Sequence, residues 1–142
     1  MRIVARLLSI KYLSPYINFQ GNAREAMEFY HKVLGGQLVL RTTDEKGVPK
    51  NAGPGDRISH AQLKADGAQI FGVDGHPKYP AKVGENVSLA LAGTDKARLT
   101  KIFHDLAEGG QTKRPLTQQS GLEVGYLVDK FGINWVVSID PA

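Results

Sequence analysis

The chain has 142 residues, a net charge of +4 and no cysteine, which excludes disulfides, cysteine-ligated zinc and a cysteine nucleophile. Its length suits one domain with a core of its own. Lysine and arginine are spread along the chain without a basic run, and no stretch approaches the length of an apolar membrane span. We therefore expect a cytoplasmic protein that binds neither nucleic acid nor membrane.

Residues 1–13 contain Arg2 and Arg6 and a short apolar stretch that Lys11 interrupts, and no small-residue cleavage site follows. A secretory signal is therefore not expected. The segment is interpreted instead as a loose extension or as an edge strand.

The first predicted strand, at residues 16–20, is followed by a well-marked helix. Asn22 suits the N-cap position, and Glu25 stands three residues later, as in a capping box. Gly35 is suited to end the helix, because glycine adopts the left-handed conformation at low cost. Apolar residues recur on one helical face: Ala23, Ala26, Met27, Tyr30, Val33 and Leu34.

Three further strands are predicted in the first half, at residues 37–43, 57–65 and 68–73. The second of them alternates between two sets: Ala61, Leu63 and Ala65 against His60, Gln62 and Lys64. This alternation is typical of a strand with one buried face. Asp66-Gly67 predicts a two-residue hairpin turn, whereas the polar segments 44–56 and 74–85, rich in glycine and proline, are predicted loops.

The second half repeats the first. Residues 29–37 read FYHKVLGGQ and residues 103–111 read FHDLAEGGQ, so both begin with Phe and end with Gly-Gly-Gln. A second helix is predicted to begin at Thr94 or Asp95, and Trp135 is expected in the core. The remaining strands are predicted at residues 86–92, 112–116, 122–128 and 133–139.

An internal repeat of this kind predicts two copies of one structural unit. We expect a single domain over residues 1–142, with a first β-α-β-β-β module at 14–74, a linker at 75–85 and a second module at 86–139. One helix and four short strands bury little surface alone. We therefore predict an α+β fold in which the modules form a curved, mixed eight-stranded sheet with the helices outside.

Polar side chains of the predicted strands are expected to meet inside this curved sheet. A concave face with a few convergent polar groups is the usual place for a ligand. The candidate ligand-binding residues are His60, Gln62, Asp74, His76, Asn86 and Ser88. His60 could act as a base or hold a ligand, or simply line a solvated groove, and Asp74 with His76 resembles an acid–imidazole pair.

Three segments resemble the PhnB-like branch of the vicinal-oxygen-chelate superfamily, which includes the glyoxalases and bleomycin-resistance proteins. They are residues 15–36 (PYINFQGNAREAMEFYHKVLGG), 59–77 (SHAQLKADGAQIFGVDGHP) and 129–138 (DKFGINWVVS). The resemblance covers about residues 14–139 and implies paired β-α-β-β-β modules and a homodimer. Some relatives are described as ubiquinone-biosynthesis methyltransferases, but the chain has no glycine-rich nucleotide loop that would hold S-adenosylmethionine.

Many enzymes of this superfamily hold a divalent metal through His and Glu on four strands. The resemblance carries those places onto Pro15, Phe71 or Gly72, Asn86 and Val136. None of these side chains is a good ligand for a transition metal, so we expect no metal site of the standard kind and no cofactor.

Two functions remain open. The first is a metal-free protein that holds a small organic ligand in the concave groove. The second is a metal-dependent lyase, isomerase or dioxygenase of the same superfamily with an atypical site, for which His60, Asp74 and His76 have suitable side chains.

Overall fold

The computed structural model describes residues 10–142. The prediction for residues 1–13 therefore lies mostly outside the described part of the chain. Of that segment, residues 10–13 are exposed and belong to no strand.

Residues 10–142 form two α-helices and nine β-strands. In chain order they are β1 Tyr16–Asn18, α1 Ala23–Leu34, β2 Gln37–Thr43, β3 Pro49–Asn51, β4 His60–Ala65, β5 Ala68–Val73, β6 Leu89–Gly93, α2 Lys96–Ala107, β7 Gln111–Gln119, β8 Leu122–Val128 and β9 Asn134–Ile139. Neither helix has the length and hydropathy needed to cross a lipid bilayer.

The strands form one sheet of order β1-β5-β4-β2-β3 and a second of order β6-β9-β8-β7. Apart from β3, the two orders are the same, and each begins with a parallel pair followed by antiparallel pairs. The predicted α+β fold of two β-α-β-β-β modules is confirmed. The backbone hydrogen bonds divide it into two sheets, whereas the sequence suggested one continuous sheet.

Strand β3 lies inside the segment predicted as a loop at residues 44–56. The Asp44 carboxylate accepts hydrogen bonds from the backbone N–H groups of Lys46 (2.8 Å) and Val48 (2.9 Å). This side-chain turn folds the chain back, so that β3 pairs with the end of β2. Aspartate stabilises such turns by local bonds to the backbone, which is why a polar segment contains a strand.

Helix α1 packs its apolar face on β4, where the predicted alternation is confirmed. Ala61, Leu63 and Ala65 are buried, while the residues between them are not. A Cβ atom at Gly72 of β5 would come within 3.0 Å of the Met27 sulfur atom of α1 and within 2.8 Å of the Phe19 ring. The helix therefore lies close on this sheet because small residues form the strand surface beneath it.

The repeated Gly-Gly pairs have a common structural cause. A Cβ atom on Gly36 would overlap the carbonyl oxygen of Lys64 in β4, and one on Gly110 would overlap that of Val128 in β8. The second glycine of each pair thus lets the chain leave the helix and pass directly against β4 in the first module and against β8 in the second. The sequence repeat reflects a repeated backbone contact.

A buried carboxylate joins the two modules. Asp129 is 3% exposed, and its Oδ1 accepts hydrogen bonds from the backbone N–H groups of Phe131 (2.8 Å) and Ile133 (3.0 Å). Its Oδ2 accepts from the Tyr30 hydroxyl (2.6 Å) and from Trp135 Nε1 (2.8 Å). Burial, followed by the negative charge of Asp129, raises the pKa of Tyr30 above its ordinary value. Trp135 lies in the core, as predicted.

The strand predicted at residues 86–92 begins later in the structure. Strand β6 starts at Leu89, and Val87, expected on the apolar face, is exposed. Asn134 Nδ2 donates hydrogen bonds to the carbonyl oxygens of Gly84 (2.9 Å) and Val87 (3.2 Å). The Asn134 side chain therefore fixes the backbone just before β6. Among the described residues, this segment has no neighbouring strand with which to pair.

Candidate functional site

The side of the first sheet that faces away from α1 carries most of the candidate side chains; we call it the open face. Because Ala61 and Leu63 point toward α1, His60 and Gln62 point the other way. Gln62 stands between Val39 of β2 and Phe71 of β5 in the register. Residues of β2, β4 and β5 thus share this surface.

An aromatic cluster covers the centre of the open face; it consists of Tyr12, Tyr16, His60 and Phe71. The ring centroid of His60 lies 5.3 Å from that of Phe71 and 6.3 Å from that of Tyr16, and Tyr12 meets Phe71 edge-on at 5.2 Å. Phe71 is 6% exposed, whereas Tyr12 and Tyr16 are 58% and 64% exposed. The cluster therefore has a buried floor and exposed rings above it, an arrangement that suits a stacked planar group.

Sequence reasoning found His60 and Gln62 but missed the three other aromatic residues of this surface. Tyr12 belongs to no strand, and Tyr16 joins the cluster only because β1 pairs in parallel with β5, with Tyr16 opposite Phe71. No local pattern indicates that pairing. The alternation of polar and apolar residues in β4 was the one available signal.

Asp74 is a structural brace. Its Oδ1 accepts a hydrogen bond from the Ala23 N–H (2.9 Å), and its Oδ2 accepts one from the Ile58 N–H (2.6 Å). Asn22 occupies the N-cap position of α1 but makes no side-chain capping bond. The predicted capping box is therefore wrong: a carboxylate at the end of β5 caps the helix in its place.

His76 lies near Asp74, in a cleft of about 380 Å³ that Asn18 and Arg57 also line. Its Nδ1 accepts a hydrogen bond from the Lys78 N–H (3.1 Å). Both carboxylate oxygens of Asp74 bind backbone N–H groups, and the described residues show no hydrogen bond between Asp74 and His76, so the acid–imidazole pair suggested by the sequence is not formed here.

Asn86 and Ser88 are exposed and precede β6. Ser88 lines a cleft of about 630 Å³ together with Tyr12, Lys64 and residues of the β4–β5 turn, but His60 and Gln62 do not line it. The six candidate residues are thus distributed over three places: the open face, the cleft at His76, and the segment before β6.

The positions that would hold the superfamily's divalent metal do not fit one. Pro15, Phe71 and Val136 have no donor atom in their side chains, and Asn86 stands on an exposed bend. Within residues 10–142, no three His, Asp or Glu side chains come close enough together to bind a metal ion. The set considered for an atypical site, His60 with Asp74 and His76, is therefore not assembled in one chain.

Comparison with known proteins places the chain among its relatives. The family model for 3-demethylubiquinone-9 3-methyltransferase matches residues 11–138. Protein YjdN of Escherichia coli (strain K12) is 26% identical over 140 residues, which cover 89% of this chain and 94% of YjdN. The crystal structure of protein PA1353 from Pseudomonas aeruginosa is 34% identical with a TM-score of 0.77, covering 92% of this chain and 98% of that one.

Two further kinds of solved structure show the fold. The PhnB protein from Bacillus cereus, described as a 3-demethylubiquinone-9 3-methyltransferase, is 23% identical with a TM-score of 0.70, covering 89% of this chain and 98% of that chain. A glyoxalase/bleomycin resistance protein from Albidiferax ferrireducens T118 is 18% identical with a TM-score of 0.58, covering 90% and 95%. The chain belongs to the 3-demethylubiquinone-9 3-methyltransferase family, a PhnB-like family with the glyoxalase/bleomycin-resistance fold.

Proposed function

We propose that this chain is a binding protein that holds a small organic ligand on the open face, as a homodimer and without the superfamily's standard metal site. The observation that carries the proposal is the aromatic cluster, in which exposed Tyr12 and Tyr16 stand over buried Phe71. Soluble proteins seldom expose contiguous aromatic surface unless something binds there.

Polar groups beside the cluster are free to orient a ligand. Within residues 10–142, neither His60 nor Gln62 makes a side-chain hydrogen bond to the rest of the chain. An imidazole and an amide offer both donors and acceptors. Small-molecule sites are usually lined by apolar and aromatic side chains with a few polar groups that orient the ligand, and the cluster with Gln62 beside it has this composition.

Binding is favoured over methyl transfer by the way the glycines are used. Gly36 and Gly110 pack against β4 and β8, so the Gly-Gly pairs serve the fold. A nucleotide-derived methyl donor is usually held by a glycine-rich loop between a strand and a helix, and the glycine pairs here stand after the helices.

A second copy of the chain would cover apolar surface that a monomer leaves in water. Val83 and Val87 are exposed beside β6, away from the aromatic cluster. Light scattering of the purified protein tests this part of the proposal. A monomeric mass at micromolar concentration would contradict the homodimer and leave ligand binding to be judged separately. The cytoplasmic location and the absence of nucleic-acid binding stay predictions.

Ligand binding is tested by thermal shift with a panel of bleomycin-like compounds, glutathione adducts and divalent metals. A ligand present at about a hundred times its Kd should stabilise the fold by roughly 2.7 kcal/mol. The variant Tyr16→Ala should abolish the shift, while Tyr79→Ala, which removes an equally exposed tyrosine from the linker, should keep it. A flat response of the wild type, or a shift that survives in Tyr16→Ala, would contradict the proposal.

Metal analysis of the same preparation addresses the alternative enzyme. One divalent ion bound per chain, retained on dialysis, would favour the metal-dependent lyase, isomerase or dioxygenase with ligands drawn from more than one chain. A metal-free protein that still binds an organic ligand supports the binding function.

A further inference from the structure

Acidic residues are placed unevenly in this fold. Of the fourteen Asp and Glu residues in the chain, Glu123 is the one that stands in a strand. Glu123 pairs in the register with buried Ile139 and binds Lys96 of α2 at 2.8 Å, so it points toward the helix side of its sheet. The strand residues of both sheets therefore present no carboxylate on the sides away from the helices.

Cations flank the aromatic cluster on the open face. Arg41 of β2 stands opposite His60 in the register, and Lys64 follows Gln62 by two residues on the same side of β4. Lys64 also lines the 630 Å³ cleft together with Tyr12. From His60 to Lys64 the strand advances about 13 Å, so the two cations lie at opposite ends of the cluster.

Neither cation is neutralised by another described residue. The ion pairs within residues 10–142 are Arg24–Glu28, Lys96–Glu123, Arg98–Asp66 and Lys101–Asp105. Arg41 and Lys64 take part in none of them. Unpaired charges of one sign around an apolar surface produce a positive potential that attracts anions.

We infer that the ligand of the open face is a planar organic anion, of the aromatic carboxylate or phenolate class. This inference rests on the proposed function, because it names the chemistry of the same site. The rings of Tyr12 and Tyr16 supply stacking surface, and Arg41 or Lys64 receives the anionic group. The planar guanidinium of Arg41 matches a carboxylate in a two-point hydrogen bond.

Two fluorescent probes with the same rings separate charge from stacking. Anilinonaphthalene sulfonate is an aromatic anion, and phenylnaphthylamine has the same ring system without the sulfonate. At low ionic strength the sulfonate should bind roughly three- to tenfold more tightly than the neutral probe, and added salt should remove this advantage. Salicylate, a planar aromatic carboxylate, should displace the sulfonate, whereas cyclohexanecarboxylate, which is anionic but not planar, should not.

The double variant Arg41→Gln/Lys64→Gln tests the cations themselves. Its Kd for the sulfonate should rise roughly three- to tenfold, with no change for the neutral probe. The control Lys32→Gln/Lys46→Gln removes the same charge from α1 and from the turn after β2, and it should leave both Kd values unchanged.

Failure of this inference differs from failure of the proposed function. Equal Kd values for the two probes, or equal losses in the double variant and its control, would overturn the anion class while binding at the open face stands. If Tyr16→Ala changes the binding of neither probe, the open face is not the site, and both proposals fall together.

Discussion

In the first module Tyr16 of β1 stands beside Phe71 of β5, and at the corresponding place in the second module Ala90 of β6 stands beside Val136 of β9. Both pairs are parallel, and both lie on the side of their sheet that faces away from its helix. The duplication thus repeats the backbone and replaces the side chains. At this place the first sheet has two aromatic rings, whereas the second has two aliphatic side chains, and its nearest aromatic residue is Tyr126 of β8, the register partner of Val136.

In the interior, it is the second module that has the polar side chain. Gly36 packs against Ala65 at the end of β4, and Gly110 packs against Asp129 at the end of β8. The first module has an alanine where the second has the buried carboxylate that receives Tyr30. The first module therefore contributes the candidate binding surface, and the second contributes the polar joint between the two.

The largest expected effect on stability comes from replacing Asp129 with alanine, the residue that the first module has at the corresponding position, Ala65. Asp129→Ala leaves two side-chain donors and two backbone N–H groups in the core without an acceptor. We expect a loss of roughly 3–5 kcal/mol in the free energy of unfolding, measured by urea denaturation. Asp66→Ala, in the β4–β5 turn with its side chain 77% exposed, should cost at most about 1 kcal/mol. Equal losses of stability in the two variants would contradict this stabilising function of Asp129.

The two helices are capped differently, and the difference is measurable. Asp95 caps α2 from the adjacent position, where its side chain accepts from the Arg98 N–H (3.1 Å). Asp74 caps α1 from β5 and also holds the Ile58 N–H. In urea denaturation we expect Asp74→Ala to cost about 2 kcal/mol and Asp95→Ala about 1 kcal/mol. A smaller loss for Asp74→Ala than for Asp95→Ala would contradict the bracing function of Asp74.

The smallest expected effect concerns the pH dependence of the joint. The raised pKa of Tyr30 means that the folded state keeps the phenol neutral while the unfolded chain ionises near pH 10. The stability it contributes is therefore complete below about pH 10 and is lost as the pH rises further, by up to about 1.4 kcal/mol per pH unit.

The variant Tyr30→Phe isolates that contribution. It should cost about 1 kcal/mol at neutral pH, because one hydrogen bond to Asp129 is lost. Above pH 10 its stability should fall less steeply than that of the wild type, in urea denaturation repeated across the alkaline range. Parallel curves for the two proteins would contradict the assigned position of the phenol in the joint.

Local rules were enough to predict both helices, the β4–β5 hairpin and the duplication. The apolar face of α1 and the alternation in β4 are patterns of neighbouring residues, and the burial of Ala26 and Leu63 confirms them. The Gly-Gly repeat was visible in the sequence because the second glycine of each pair packs against the backbone of a neighbouring strand, where a Cβ atom would not fit. These features are set by residues that are close together in the chain, so they can be predicted from local sequence patterns.

The amino-acid sequence by itself determined the two-module α+β fold and the missing donors at the standard metal positions. Only the tertiary structure decided that Asp74 caps α1, that Tyr16 meets Phe71, and that the strands divide into two sheets. The physical reason is sequence separation. Asp74 reaches Ala23 across 51 residues, and such partners are chosen by the packing of whole sheets and helices, which no local pattern encodes.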